Sequence, residues 1–170
     1  MSKDYGKTIK KILSTGKIFG KPAFLLISTN DPNVMYSVTQ EEGGAIDVIV
    51  KSIDGGASWE TISKFKNSGI RDLLMNPVDH NILYASIADY NNLKEMEQAK
   101  QLLLKSVDGG KTWQDVSIKI PNISIMNMAI DPFDPNVLYA GTNQFGIFKS
   151  TDSGKTWKAI NNGIRKRSVQ

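Results

Sequence analysis

Ser106-Val107-Asp108-Gly109-Gly110-Lys111-Thr112-Trp113 is one copy of a repeated octapeptide, and its recurrence decides the fold. Ser52-Ile53-Asp54-Gly55-Gly56-Ala57-Ser58-Trp59 and Ser150-Thr151-Asp152-Ser153-Gly154-Lys155-Thr156-Trp157 keep the pattern Ser-x-Asp-x-Gly-x-Ser/Thr-Trp, and all 3 tryptophans of the chain lie in it. A decayed copy, Ser2-Lys3-Asp4-Tyr5-Gly6-Lys7-Thr8-Ile9, keeps every position except the aromatic one. The aspartates 4, 54, 108 and 152 follow one another at 50, 54 and 44 residues, a period that marks a repeat architecture. The octapeptide suits a tight turn, because the carboxylate accepts backbone N–H and hydroxyl hydrogen bonds while glycine takes a positive φ without steric cost.

Working outward, a second motif alternates with the first. It runs Asn30-Asp31-Pro32-Asn33-Val34-Met35-Tyr36, then Asn76-Pro77 to Asn81-Ile82-Leu83-Tyr84, then Asp131-Pro132 to Asn136-Val137-Leu138-Tyr139. Between the motifs lie short runs rich in Ile, Val, Leu, Phe and Tyr, bounded by Gly, Pro, Asn and Asp, which read as antiparallel strands and their turns. Each unit resolves into four strands, A to D, with the octapeptide as the C–D turn and its tryptophan opening strand D. In the last unit the strands are expected at about Ile123 to Ile130, Val137 to Gly141, Gly146 to Ser150 and Thr156 to Ile160.

The octapeptide resembles the Asp-box, or bacterial neuraminidase repeat. The run of Asp-Pro, Leu-Tyr-Ala-Gly-Thr and Phe-Lys-Ser is similar to propellers related to xyloglucan-degrading glycosidases. It is similar as well to photosystem II stability and assembly factors and, more remotely, to the sortilin ectodomain. The resemblance covers nearly the whole chain and implies an all-β fold, a partial β-propeller of about three four-stranded antiparallel blades plus an extra N-terminal strand. The expected units are 1–16 (box and outer strand), 17–64, 65–118 with an insertion at 89–101, 119–162, and a basic tail at 163–170, within one propeller segment spanning 1–170. Propellers usually close with four to eight blades. Three blades therefore predict either a fragment of a longer parent or an arc completed by another chain, and two copies would supply six blades.

Composition narrows the chemistry. The chain has 170 residues, 40% hydrophobic, with no cysteine, so disulfides, thiolate metal sites and thiol nucleophiles are excluded. No apolar run approaches the ~18 residues of a membrane helix. The balance of 21 basic to 17 acidic residues, without aromatic interleaving, does not read as a nucleic-acid binder. The start lacks the charged-then-apolar pattern of a signal peptide, so the chain as written reads as cytoplasmic or truncated, although related propellers are often extracytoplasmic, and the compartment is left open. No phosphate loop, dinucleotide fingerprint or zinc spacing appears, and no cofactor or metal is expected.

The structural Asp-box set is Ser2, Asp4 and Gly6; Ser52, Asp54, Gly56 and Trp59; Ser106, Asp108, Gly110 and Trp113; Ser150, Asp152, Gly154 and Trp157. The sialidase resemblance implies an arginine cluster, but the chain has only Arg71, Arg165 and Arg167 and no Phe-Arg-Ile-Pro motif. A xyloglucanase-like glycosidase requires two carboxylates across a cleft. The acids outside the turns are Asp47, Asp72, Asp89 and Asp115, which read as solvated strand ends, and no catalytic residue is assigned. His80 reads as a turn residue, and Asp131, Asp134 and Asn136 as an oxygen-rich turn without a ligand-loop pattern.

Blade geometry places the A–B and C–D turns on one face and the B–C and D–A loops on the other. The insertion Asp89 to Gln101 projects from the latter, where repeat proteins place recognition. Asp89, Tyr90, Lys94, Glu95, Glu97 and Lys100 are its candidate recognition residues. The function expected is a non-catalytic binding or assembly scaffold for a protein or glycan partner, the alternative being part of a glycan-acting hydrolase.

Overall fold

The structure, a computed structural model, describes residues 19–41, 46–90, 100–120 and 123–163, with the backbone alone at 19–23. The N-terminal box (Ser2, Asp4, Gly6), the expected outer strand within 1–16, Lys94, Glu95, Glu97 and the tail beyond Gly163 lie outside these residues.

Three four-stranded antiparallel meanders follow one another along the chain. Blade 1 comprises β1 (Phe19–Ile27), β2 (Met35–Gln40), β3 (Ile46–Ser52) and β4 (Glu60–Lys66). Blade 2 comprises β5 (Ser68–Met75), β6 (Leu83–Asp89), β7 (Lys100–Ser106) and β8 (Gln114–Asp115). Blade 3 comprises β9 (Ile125–Ile130), β10 (Leu138–Thr142), β11 (Ile147–Ser150) and β12 (Lys158–Ala159). The first strands are neighbours, β5 lying beside both β1 and β9, as in an arc of propeller blades around a central axis.

Apolar side chains on alternate strand positions form two cores, one in each gap between blades. Tyr36, Val38 and Ile49 of blade 1 meet Leu73, Leu83, Ala85 and Ile87 of blade 2. Leu103 of blade 2 meets Ile125, Ala140 and Phe148 of blade 3, with Ile118 and Ile123 closing the gap. Residues Leu83 to Ala88 of β6 are all buried, because both faces of the middle blade are covered. Met35 to Thr39 of β2 are buried on both faces too, whereas β10 alternates, with Leu138 and Ala140 buried and Tyr139 and Gly141 half-buried.

The outer strands differ from expectation. β4 is 7 residues long and reaches Lys66, past the expected unit boundary at 64, so Lys64 and Lys66 sit on a strand and only Asn67, at φ 49°, links it to β5. β8 and β12 are 2 residues each because side chains replace the ladder. The Ser117 hydroxyl accepts the Leu103 N–H at 2.9 Å, and the Asn161 carboxamide accepts the Ile147 N–H at 2.7 Å while donating to the Phe145 carbonyl at 2.8 Å.

Candidate binding face

The three described Asp-boxes share one network. In blade 2 the Ser106 hydroxyl donates to Asp108 at 2.8 Å and accepts the Gly110 N–H at 2.8 Å. The two Asp108 oxygens accept the Thr112 N–H at 2.9 Å and hydroxyl at 2.5 Å. Asp54 holds Ser58 and Asp152 holds Thr156 in the same way. Hydrogen bonding, led by the Ser or Thr hydroxyl, lowers each carboxyl from 3.8 to about 2. Trp113 Nε1 donates to Gly110 O at 3.0 Å and to Ser63 Oγ of blade 1 at 3.1 Å, and its ring meets Phe65 edge-on with centroids 6.0 Å apart. Gly110 sits at φ 90°, where a Cβ would stand 3.3 Å from Leu83 Cδ1, so glycine is required by both backbone and packing. The carboxylates that look most like catalytic acids are therefore occupied as turn acceptors.

Two of the remaining acids depart from the solvated-end reading. Asp47 in β3 accepts the Ile70 N–H of blade 2 at 2.8 Å and the Gln40 amide at 3.1 Å. Asp72, half-buried in β5, accepts the Met128 N–H of blade 3 at 2.6 Å and its own neighbour Leu73 N–H at 2.9 Å. Each carboxylate straps its blade to the next by accepting an amide from the first strand of that blade. Burial raises the Asp72 carboxyl, opposed by those two backbone bonds. For Asp115, burial pushing the pKa up is outweighed by hydrogen bonds from Ser117 and by Lys119 and Lys100, and the net shift is downward. His80 Nδ1 lies 3.5 Å from the Ser28 hydroxyl across the gap between blades 1 and 2. Asp131 and Asp134 accept the amides of their own turn, at 2.9–3.1 Å. Among the described residues no group of His, Asp and Glu side chains is arranged to hold a metal ion.

The opposite face carries the loops. Asp89 and Lys100, expected within the insertion, are instead strand residues paired with each other at the ends of β6 and β7. They extend the hairpin because the β6–β7 ladder runs in unbroken register from Leu83 and Ser106 out to both. Tyr90 follows directly, 44% exposed. Its N–H donates to Asn67 O at 2.8 Å, and its ring stands over Gly69, 3.7 Å from where a Cβ would lie. Beside it a groove of about 340 Å³ opens between the blades, with Phe65, Ile87, Leu102 and Leu104 as floor and Lys64, Lys66 and Asp89 on the rim. Lys64 also pairs with Glu41 of the first B–C loop. The groove thus combines an apolar floor with a charged rim. Of the expected insertion residues Asp89 borders this groove and Tyr90 adjoins it, whereas the floor residues had no signal in the sequence, because they belong to three strands that meet only on folding.

A larger cleft, about 580 Å³, separates blades 2 and 3 on their outer edge, where β8 stops short. Lys105, Lys119, Lys155, Asp115, Phe148 and Trp157 are among its walls. No helix among the described residues is long and apolar enough to cross a membrane.

No curated protein matches the chain. Among solved structures it is similar to the GH74 xyloglucanase from Xanthomonas campestris, at 18% identity and TM-score 0.62 over 84% of this chain and 23% of that one. YCF48 from Cyanidioschyzon merolae is similar at 22% identity and TM-score 0.53, over 87% of this chain and 38% of that one. A YCF48 bound to D1 peptide is similar at 19% identity and TM-score 0.55, over 84% and 40%. These likenesses establish the blade fold, and the chain spans less than half the length of each structure. The sequence family described as photosynthesis system II assembly factor YCF48 matches residues 34–165, from strand B of blade 1 through the last Asp-box. Since that match covers most of the chain and every described box, the protein belongs to the YCF48-type Asp-box repeat family.

Proposed function

We propose that this chain is a non-catalytic assembly scaffold that holds a segment of a protein partner on its B–C/D–A face. The observation that carries the reading is the groove between blades 1 and 2, with its apolar floor, lysine rim and adjoining half-exposed Tyr90. Family membership supports it, as does the peptide-bound relative. The strapping roles of Asp47 and Asp72 weigh against turnover, because both carboxylates are engaged by backbone amides of the next blade.

A D1 peptide, the ligand of that relative, is the first probe. Calorimetry should give saturable binding that Lys66→Glu and Tyr90→Ala each weaken about tenfold, a loss of ~1.4 kcal/mol. Xyloglucan is the second probe, and neither release of reducing ends nor binding is expected. Hydrolysis of xyloglucan abolished by Asp72→Asn in a folded variant would replace the scaffold with the glycosidase reading. Binding of xyloglucan without hydrolysis would make the partner a glycan.

A further inference from the structure

The two junctions between blades are built from the same repeat but filled differently. Between blades 1 and 2 the filling comes from the 7-residue β4. The Ser63 hydroxyl donates to Gly110 O, Trp113 Nε1 donates to Ser63 Oγ at 3.1 Å, and the Phe65 ring stands edge-on against Trp113. Between blades 2 and 3, β8 ends at Asp115, and the residues that correspond to Ser63 and Phe65 are Ser117 and Lys119. The Ser117 hydroxyl turns to Asp115 and to the Leu103 N–H rather than to the next box, and the Lys119 side chain is 79% exposed. Trp157 therefore has no aromatic partner among the described residues, and the cleft of about 580 Å³ opens beside it.

Three lysines, Lys105, Lys119 and Lys155, border this cleft against one acid, Asp115. Asp115 already accepts the Ser117 N–H at 2.8 Å and lies 3.8 Å from Lys119 Nζ. Lys105 is held over the Tyr84 ring at 5.4 Å with its Nζ 3.5 Å from Ser153 O of the next box, as Lys51 is held over Tyr36 at 5.2 Å beside Gly109. The cleft thus suits an aromatic side chain, to stand against Trp157, accompanied by carboxylates to meet the lysines. The chain presents that chemistry elsewhere. Phe133 is 96% exposed at the tip of Asp131-Pro132-Phe133-Asp134-Pro135. Asp131 accepts the N–H groups of Phe133 at 2.9 Å and Asp134 at 3.1 Å, and Asp134 accepts the Asn136 N–H at 3.0 Å. With φ fixed at both prolines, the turn holds its ring outward at little further cost in conformational entropy on binding.

We infer that Phe133 of a second copy of this chain docks in the cleft between blades 2 and 3, its ring against Trp157 and the Asp131 and Asp134 carboxylates toward Lys119 and Lys155. The ring would stand to Trp157 as Phe65 stands to Trp113 inside the molecule. Phe133 does not border the cleft of its own chain, so the contact joins two copies. Because the turn and the cleft are different surfaces, the contact is heterologous and extends head to tail. The inference is independent of the groove between blades 1 and 2, none of whose lining residues borders the cleft.

Light scattering and sedimentation of the purified 170-residue chain across concentration test it. The expected result is concentration-dependent association, weakened at least about tenfold by Phe133→Ala and equally by Lys119→Glu combined with Lys155→Glu. All three side chains are exposed, so circular dichroism should be unchanged in both variants. An equimolar mixture of the two variants should recover association, since it retains one intact turn and one intact cleft, and should stop at the dimer. A chain that stays monomeric at every concentration overturns the inference. Association that survives Phe133→Ala overturns it as well, by assigning the contact to another segment, and so does a mixture of the two variants that stays monomeric.

Discussion

Blades 2 and 3 are built from closely similar sequence, yet one is interior and the other is half surface. Leu83-Tyr84-Ala85-Ser86 of β6 is buried residue by residue, while Leu138-Tyr139-Ala140-Gly141 of β10 is buried only at alternate positions. In a propeller, burial is a property of the junction rather than of the strand, because a blade's second face is covered only by the next repeat. The largest expected effect follows from this difference. Tyr84→Ala removes a fully buried ring between blades and should cost about 3–5 kcal/mol in urea denaturation, whereas Tyr139→Ala should cost less than about 1 kcal/mol. Equal costs would show that the two junction faces are equivalent in solution and would break the comparison.

The second contrast is electrostatic and lies between the turns and the straps. The box carboxyls titrate at about 2 in the folded chain and near 3.8 when free. Their contribution to stability is complete above the free value and is lost as pH falls through about 2. Asp72 runs the other way. Its pKa is raised by burial, so its contribution is present below the free value and disappears as pH rises through the folded one. Denaturation midpoints followed from neutral to acid pH should therefore fall less steeply in Asp108→Asn than in the parent, and more steeply in Asp72→Asn. If Asp72→Asn left the acid limb unchanged, the carboxylate would be solvated and the strap between blades 2 and 3 absent.

Local chemistry explains which features the sequence made legible. The octapeptides and Asp-Pro turns are contiguous, and each carries its own hydrogen-bond network, so the three meanders can be placed from residue identity alone. The straps are a different matter. Asp72 meets Met128 across 56 positions and Asp47 meets Ile70 across 23, and nothing near either aspartate signals an amide arriving from another blade. The ends of the insertion were misplaced for a related reason. Asp89 and Lys100 are polar, and polarity reads as loop, whereas the pairing of β6 with β7 carries the hairpin out to both. Strand D was overestimated in the last blade, where Asn161 ends the ladder by substituting its side chain for a strand amide. The groove floor required the same inter-blade information as the straps, and of the residues around it only Asp89 and Tyr90 had been singled out from the sequence.

The smallest expected effect separates the two internal junctions from each other. Tyr84 and Tyr36 occupy equivalent positions, but the Tyr84 hydroxyl donates to Ser153 O while the buried Tyr36 hydroxyl has no hydrogen-bond partner among the described residues. Burial and the negative charge of Asp79 push the Tyr36 phenol up to about 12, so it remains a neutral donor throughout the working pH range. Tyr84→Phe deletes a made hydrogen bond and leaves a carbonyl short of one donor, which should cost about 0.5–1.5 kcal/mol. Tyr36→Phe deletes a group that was desolvated for no return, and should be neutral or stabilising by up to about 1 kcal/mol. Urea midpoints of the two variants, measured side by side, decide whether the phenol hydroxyl or the ring and its lysine carry the contact. A matched loss at both positions would mean that the hydroxyl is bonded in each junction. The opposite signs expected here would assign the contact to the ring and lysine, with the hydroxyl adding strength only where the next box turns a carbonyl toward it.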